Sequence, residues 1–310
     1  MRFIFLLLSL IPMVAGANNL SLDDALRATY TSCVGIDDEL YDLKKMAGIN
    51  TAITAVGTAS GLGATVVGLV KVAKDKKADE LEAMLREIDE MQKDSTPLTP
   101  EEYDIFLSEF NNAYDTNLEN AKTIKDELDK TVKQSKNLGN WRTGLLAGST
   151  VTNVAGAIIA SGNKVDGDLK QQIEYCKASI NILRNSIMQA RMEGLDISEA
   201  QNIVNVCGEF EFTDLSKINT KAQGAMISSA VGAATGLGGT IVSAVANTDK
   251  TRNDNSESGK SKEKSLNTTA NVLAGATSVA SATATVFNAT QISAIKKVAE
   301  VAAKCTGVLK

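Results

Sequence analysis

The chain has 310 residues, with 32 Lys and Arg against 37 Asp and Glu, a net charge of −5 and no histidine. An acidic balance argues against nucleic acid as a partner, because phosphate binding needs a basic face; the missing histidine removes the commonest general base and the commonest neutral metal ligand together. Aromatic residues at 4% and only three prolines disfavour a β-sandwich and favour long helices.

In chain order, Arg2 precedes an apolar run from Phe3 to Val14 and then the small residues Ala15-Gly16-Ala17. That is the layout of a secretory signal peptide over residues 1–17, and the run is short against the roughly 20 residues of a membrane span. An exported location follows as the expectation: periplasmic, cell-surface or secreted. Export makes structural disulfides the expected state of the four cysteines, Cys33, Cys176, Cys207 and Cys305, none of which lies in a close zinc-type pair.

Four segments carry no charged residue: Ile49 to Val70, Thr143 to Asn163, Ala222 to Thr248, and Ser265 to Ile295. The first and third match, Ala59-Ser60-Gly61-Leu62-Gly63 against Ala234-Thr235-Gly236-Leu237-Gly238. The second and fourth share Leu146-Ala147-Gly148-Ser149-Thr150 and Leu273-Ala274-Gly275-Ala276-Thr277. A repeat of the form A, B, A′, B′ reads as a duplicated helical hairpin, with one unit over 18–176 and a second over 177–310. Each pair of legs then has a cysteine at its outer flanks, which ranks Cys33–Cys176 with Cys207–Cys305 above the competing set Cys33–Cys305 with Cys176–Cys207. The competing Cys176–Cys207 pair is staggered by about 13 Å along two helices meeting at the turn near Asp196, too far for a bridge.

Residues 74–138, between the first two legs, hold 17 acidic and 10 basic residues. Leu81, Met84, Ile88 and Met91 form one apolar stripe, and Phe106, Phe110, Tyr114, Leu118, Ala121, Ile124, Leu128 and Val132 form another at helical spacing. Thr99 and Glu102 make a capping box around Pro100. The segment is an expected antiparallel coiled-coil arm, its first helix running from about Leu40 to Asp94. The spacing of Leu169, Ile173, Cys176, Ile180, Leu183, Ile187 and Ala190 predicts a helix ending at Gly194, and a shorter one follows from Ser198. Residues 249–264 are polar without an apolar period and are expected to be a loop.

Small residues recur four apart in each uncharged segment: Gly57 and Gly61, Gly144 and Gly148, Gly232 and Gly236, Ala270 and Ala274. Such spacing lets helix backbones approach closely in lipid or in water, and these eight are the expected packing positions. Ser265 to Ile295 holds eight Leu, Ile, Val or Phe among 31 residues. Their roughly −2 to −5 kcal/mol of insertion energy is opposed by Asn, Gln, Ser and Thr, so a lone inserted helix is marginal. A bundle of four helices buried against each other satisfies the same pattern and is the expected architecture, all-α throughout.

Gly61-Leu62-Gly63 lacks the third glycine and preceding strand of a dinucleotide loop, and without histidine no Ser/His or Cys/His nucleophile can form. No enzyme, metal or cofactor is expected. The expected function is that of a non-catalytic exported helical-bundle protein with a structural, adhesion or protein-interaction role. It would meet a protein partner or a second copy of itself through the acidic arm. The alternative is a membrane-active protein of the pore-forming type that inserts an Ala/Gly-rich hairpin.

Overall fold

A computed structural model describes residues 20–93, 100–165, 167–254 and 256–310, with side chains outside 87–121. The signal-peptide segment and the Thr99 cap lie outside these residues, as do most side chains of the two arm stripes. The described chain is all-α: α1 Leu22–Cys33, α2 Ile36–Lys93, α3 Pro100–Gly162, α4 Gly167–Met192, α5 Ser198–Cys207, a 3₁₀ turn Gly208–Phe212, α6 Ser216–Ala246, α7 Asp249–Arg252 and α8 Glu257–Leu309.

Local chemistry sets several of these boundaries. The Ser21 hydroxyl accepts the Asp24 amide at 3.2 Å, and Asp23 and Asp24 place negative charge at the amide-rich end of α1. The link from α1 to α2 passes through Gly35 at φ +93°, and α4 ends at Gly194 with φ +76°, both in the left-handed region where a Cβ is strained. An Asp-x-Ser signal recurs three times, at Asp196 before α5, Asp214 before α6 and Asp254 before α8. In each, the carboxylate accepts the serine hydroxyl (2.7, 2.6 and 2.6 Å) and its backbone amide (2.9, 3.0 and 3.2 Å). These bonds, the hydroxyl first, hold all three carboxyls below the usual aspartate range.

The described chain divides into two compact units. Residues 20–45, 164–219 and 291–310 form unit 1, and residues 46–163 and 220–290 form unit 2. Of the long helices, α2, α6 and α8 contribute residues to both units, and α3 belongs to unit 2 alone.

Unit 1 is organised as water demands. Its buried positions include Ile36, Ile173, Ile180, Leu183, Phe210 and Ile218, all nearly or fully sealed. On α4 the buried residues keep the apolar spacing read from the sequence, Leu169 through Ala190. Two disulfides cross-link the unit: Cys33–Cys176, with Cα atoms 4.8 Å apart, and Cys207–Cys305 at 4.6 Å. The first joins α1 to α4, where Ser32 Oγ also donates to Ser179 Oγ at 2.8 Å. The second joins α5 to the end of α8.

Unit 2 packs segments of α2, α3, α6 and α8 side by side. Its buried positions fall at alternating intervals of three and four: Asn50, Thr54, Gly57, Gly61, Ala64, Gly68 and Lys71 on α2. On α3 they are Arg142, Leu146, Ser149, Asn153, Gly156 and Ala160; on α6, Ala225, Ser229, Gly232, Gly236, Gly239 and Ser243. A 3.5-residue average keeps one narrow stripe of each helix against its neighbours.

Residues 249–264 are not a loop. They form α7 and the first two turns of α8, leaving a short connection between Arg252 and Glu257. The helix is held by charge and capping instead of an apolar stripe. Gly259 N–H donates to Ser256 Oγ at 3.0 Å, Lys260 Nζ donates to Glu82 at 2.6 Å, and Glu263 lies 3.6 Å from Lys71.

Candidate functional site

The interior of unit 2 is polar. Asn50, Thr54, Ser149, Asn153, Ser229, Ser281 and Asn288 are each fully buried, beside buried alanines and an apolar cluster of Ala64, Leu146 and Ala274 with Leu145 packed against it. The amides and hydroxyls bond across helices. Asn153 Nδ2 donates to Ser281 Oγ at 2.8 Å and Ser281 Oγ donates back to Asn153 Oδ1 at 3.0 Å. Asn50 Nδ2 donates to Asn288 Oδ1 at 3.0 Å, and Ser149 Oγ donates to the Gly57 carbonyl at 2.9 Å. Asn50 Oδ1 and Ser229 Oγ have no partner among the described residues; both lie near the point where a Gly156 Cβ would stand.

One end of the seam is charged. Arg142, fully buried, donates from Nε to Ser243 Oγ at 2.9 Å, from Nη1 to Asn271 Oδ1 at 3.1 Å and from Nη2 to Asn267 Oδ1 at 2.8 Å. Lys71, also fully buried, bonds Asp75, which accepts Ser135 Oγ as well and lies 3.5 Å from Asn267 Nδ2. Arg252 reaches the Val132 carbonyl at 3.2 Å. Every cation of this cluster thus has defined oxygen partners, the condition for keeping a charge away from water.

The exterior of the same unit is apolar. Leu62, Val66 and Leu69 of α2, Val151 and Ile158 of α3, and Leu237 and Ile241 of α6 are all more than half exposed. On α8, Val272, Val279 and Val286 stand exactly a heptad apart at 66%, 68% and 61% exposure. Of the most apolar stretch of α2, of α3 and of α6, 28% is buried within the fold, and of α8 39%; all four helices are long and apolar enough to cross a membrane. The usual order of a water-soluble bundle is inverted, since polar side chains face inward and branched aliphatic ones face out.

The expected packing residues divide. Gly57, Gly61, Gly232 and Gly236 lie in the seam, and a Cβ at each would stand 2.6–2.7 Å from a side-chain atom of a facing helix: Thr152, Ser278, Asn153 and Thr150 respectively. Ala270 and Ala274 are fully buried. Gly144 and Gly148 are not seam residues: both are exposed and a Cβ there would meet nothing within 4 Å. The buried stripe of α3 runs through 142, 146, 149 and 153, and residues 144 and 148 fall on a different face. Gly61→Leu and Gly236→Leu therefore overpack the seam and lower stability by about 1–3 kcal/mol, while Gly148→Leu leaves it nearly unchanged. Thermal unfolding followed by circular dichroism checks the contrast, and equal losses at all three positions would contradict it.

The charged end was absent from the expectation. Its signal was the register itself: Lys71 continues the spacing of residues 50, 54, 57, 61, 64 and 68, and Arg142 stands four before Leu146. Gly68 belongs with them, since a Cβ there would collide with Asn271, the amide that holds Arg142. No family model matches the chain, and no curated protein or solved structure matches it.

Proposed function

We propose that the protein is an exported, non-catalytic helical-bundle protein whose unit 2 is embedded in a membrane, with a structural or interaction role. The observation that carries this reading is the inverted burial of unit 2. In lipid, helices gain nothing by hiding aliphatic side chains from one another, and association rests on close backbone approach and interhelical hydrogen bonds. A seam of Gly, Ala, Ser and Asn supplies both, and the aliphatic exterior then faces hydrocarbon. In water the same exterior would expose branched aliphatic side chains along all four helices, the pattern that marks an interaction or membrane surface.

Length and borders agree. The uncharged runs of 21 to 31 residues reach roughly 30 Å or more as helices, the thickness of the hydrocarbon core. Lys71 and Arg142 stand at the borders of two runs, and Trp141, 69% exposed, sits beside Arg142 where an amphipathic ring suits the interface. The embedding needs no later insertion of a hairpin, because four helices already share one seam.

We also propose that the two hairpins are duplicates and that residues 74–138 form an antiparallel coiled-coil arm for a protein partner. Supporting the duplication, Gly61 packs on Ser278 while its counterpart Gly236 packs on Thr150, so each A-type leg meets the B-type leg of the other hairpin at an equivalent level. Leu81 of the arm is buried and Ile124 and Leu128 are half-buried, as a seam requires.

Washing membranes with alkaline carbonate should leave the protein in the pellet; release into the supernatant would refute the embedding. Val279→Lys, at the centre of the fourth run, should destabilise the embedded protein by about 2.5–3.5 kcal/mol in chemical unfolding, against about 0.5 kcal/mol or less for a water-facing site.

A further inference from the structure

We infer that the chain crosses the membrane four times, with all four cysteines on the exported side and the arm 74–138 on the cytosolic side. The inference rests on the embedded reading of unit 2 and goes beyond it by assigning sides. If each uncharged run crosses once, residues 20–48, 164–221 and 296–310 share one side, and residues 71–142 and 249–264 share the other.

The disulfides constrain the parity of this count independently. Cys33 and Cys176 are separated by the first two runs, and Cys207 and Cys305 by the last two. A bridge needs both thiols on one side of the bilayer. If a single run of either half stayed out, one cysteine of a pair would face its partner across the hydrocarbon core, roughly 30 Å thick against the few ångströms a bridge allows. Within each half, then, both runs cross or neither does. Because no run separates Cys176 from Cys207, the two pairs also share their side.

Chemistry then orients the whole. Disulfides persist in oxidising compartments and cytosolic thiols stay reduced, so the cysteine side is the exported side. A signal peptide over residues 1–17 would deliver the start of the chain to that same side. Lys and Arg agree in direction: within fifteen residues of the run borders, with residues 249–264 counted whole, 13 lie on the arm side and 11 on the cysteine side. The arm, with its excess of acidic residues, is consequently presented to cytosolic partners.

The test uses the full chain expressed with residues 1–17 in a bacterial host, with single cysteines added at exposed lysines. Lys170→Cys and Lys297→Cys report the cysteine side, and Lys76→Cys and Lys133→Cys the arm side. With a membrane-impermeant maleimide on intact spheroplasts, the first two are labelled and the last two only after permeabilisation. Each variant is first confirmed in the carbonate-resistant pellet, with its native disulfides intact on a non-reducing gel. Labelling of the arm positions in intact spheroplasts, or protection of Lys170→Cys and Lys297→Cys, overturns the sidedness while leaving the embedding in place. Release of the parent protein by carbonate overturns the embedding itself.

Discussion

Replacing Cys33 and Cys176 together by serine should lower the stability of unit 1 by about 4–5 kcal/mol, the largest loss expected of any change in this chain. The bridge closes a loop with a sequence separation of 143 residues, and the chain-entropy treatment assigns a cross-link of that span about 5 kcal/mol through restriction of the unfolded chain. Replacing Cys207 and Cys305, with a separation of 98, should cost nearly as much, because the dependence on loop length is logarithmic. Denaturant unfolding in detergent micelles, with and without reductant, measures both. Reduced parent protein should resemble the variant lacking all four cysteines; a parent indifferent to reductant would show that the bridges constrain nothing.

Asp75→Ala should cost about 3–5 kcal/mol, the range for removing one partner of a buried ion pair. The substitution takes from the fully buried Lys71 its nearest carboxylate and leaves Glu263 at 3.6 Å as the remaining counter-charge. It also strips Ser135 of its acceptor. Asp75→Asn keeps the shape without the charge and should fall between. The double change Lys71→Met with Asp75→Leu should recover most of the loss, since replacing a buried pair by apolar groups of similar volume is often neutral. Glu82→Ala, which breaks the partly exposed pair with Lys260, should cost about 1 kcal/mol or less. Thermal unfolding of the four variants under one condition decides; an Asp75→Ala loss no greater than that of Glu82→Ala would show that Lys71 reaches water.

The all-α character, the span of α2 and α4 and both cysteine pairs were legible in the residues. Helical period and symmetry are local or arithmetic properties, and neither depends on which solvent surrounds a helix. Six of the eight small-residue positions lie in the seam. Gly57 and Gly61 could be told from Gly144 and Gly148 only through register, because in a run rich in Gly, Ala and Ser more than one face carries small residues four apart. What decides is the row of larger polar anchors: Asn153 and Ser149 lie on the inward stripe of α3, and residues 144 and 148 do not. The extent of α8 was hidden for another reason. Residues 257–264 have no apolar period, and their helix is fixed by the Ser256 cap and by Lys260 and Glu263, whose partners Glu82 and Lys71 lie far away in sequence. Arg142 was hidden because a cation at the end of an uncharged run reads as the solvated border it usually marks. Its burial depends on Asn267, Asn271 and Ser243, contributed by two other helices.

The two bridges follow one another along the chain without overlapping, and that arrangement bears on how the protein is made. Synthesis and export proceed from the N-terminus. On the proposed export route, Cys33 and Cys176 emerge first. Cys207 and Cys305 follow as a second couple. On that route the order of emergence favours each native couple over a crossed one, and the first bridge can close before the second pair is complete.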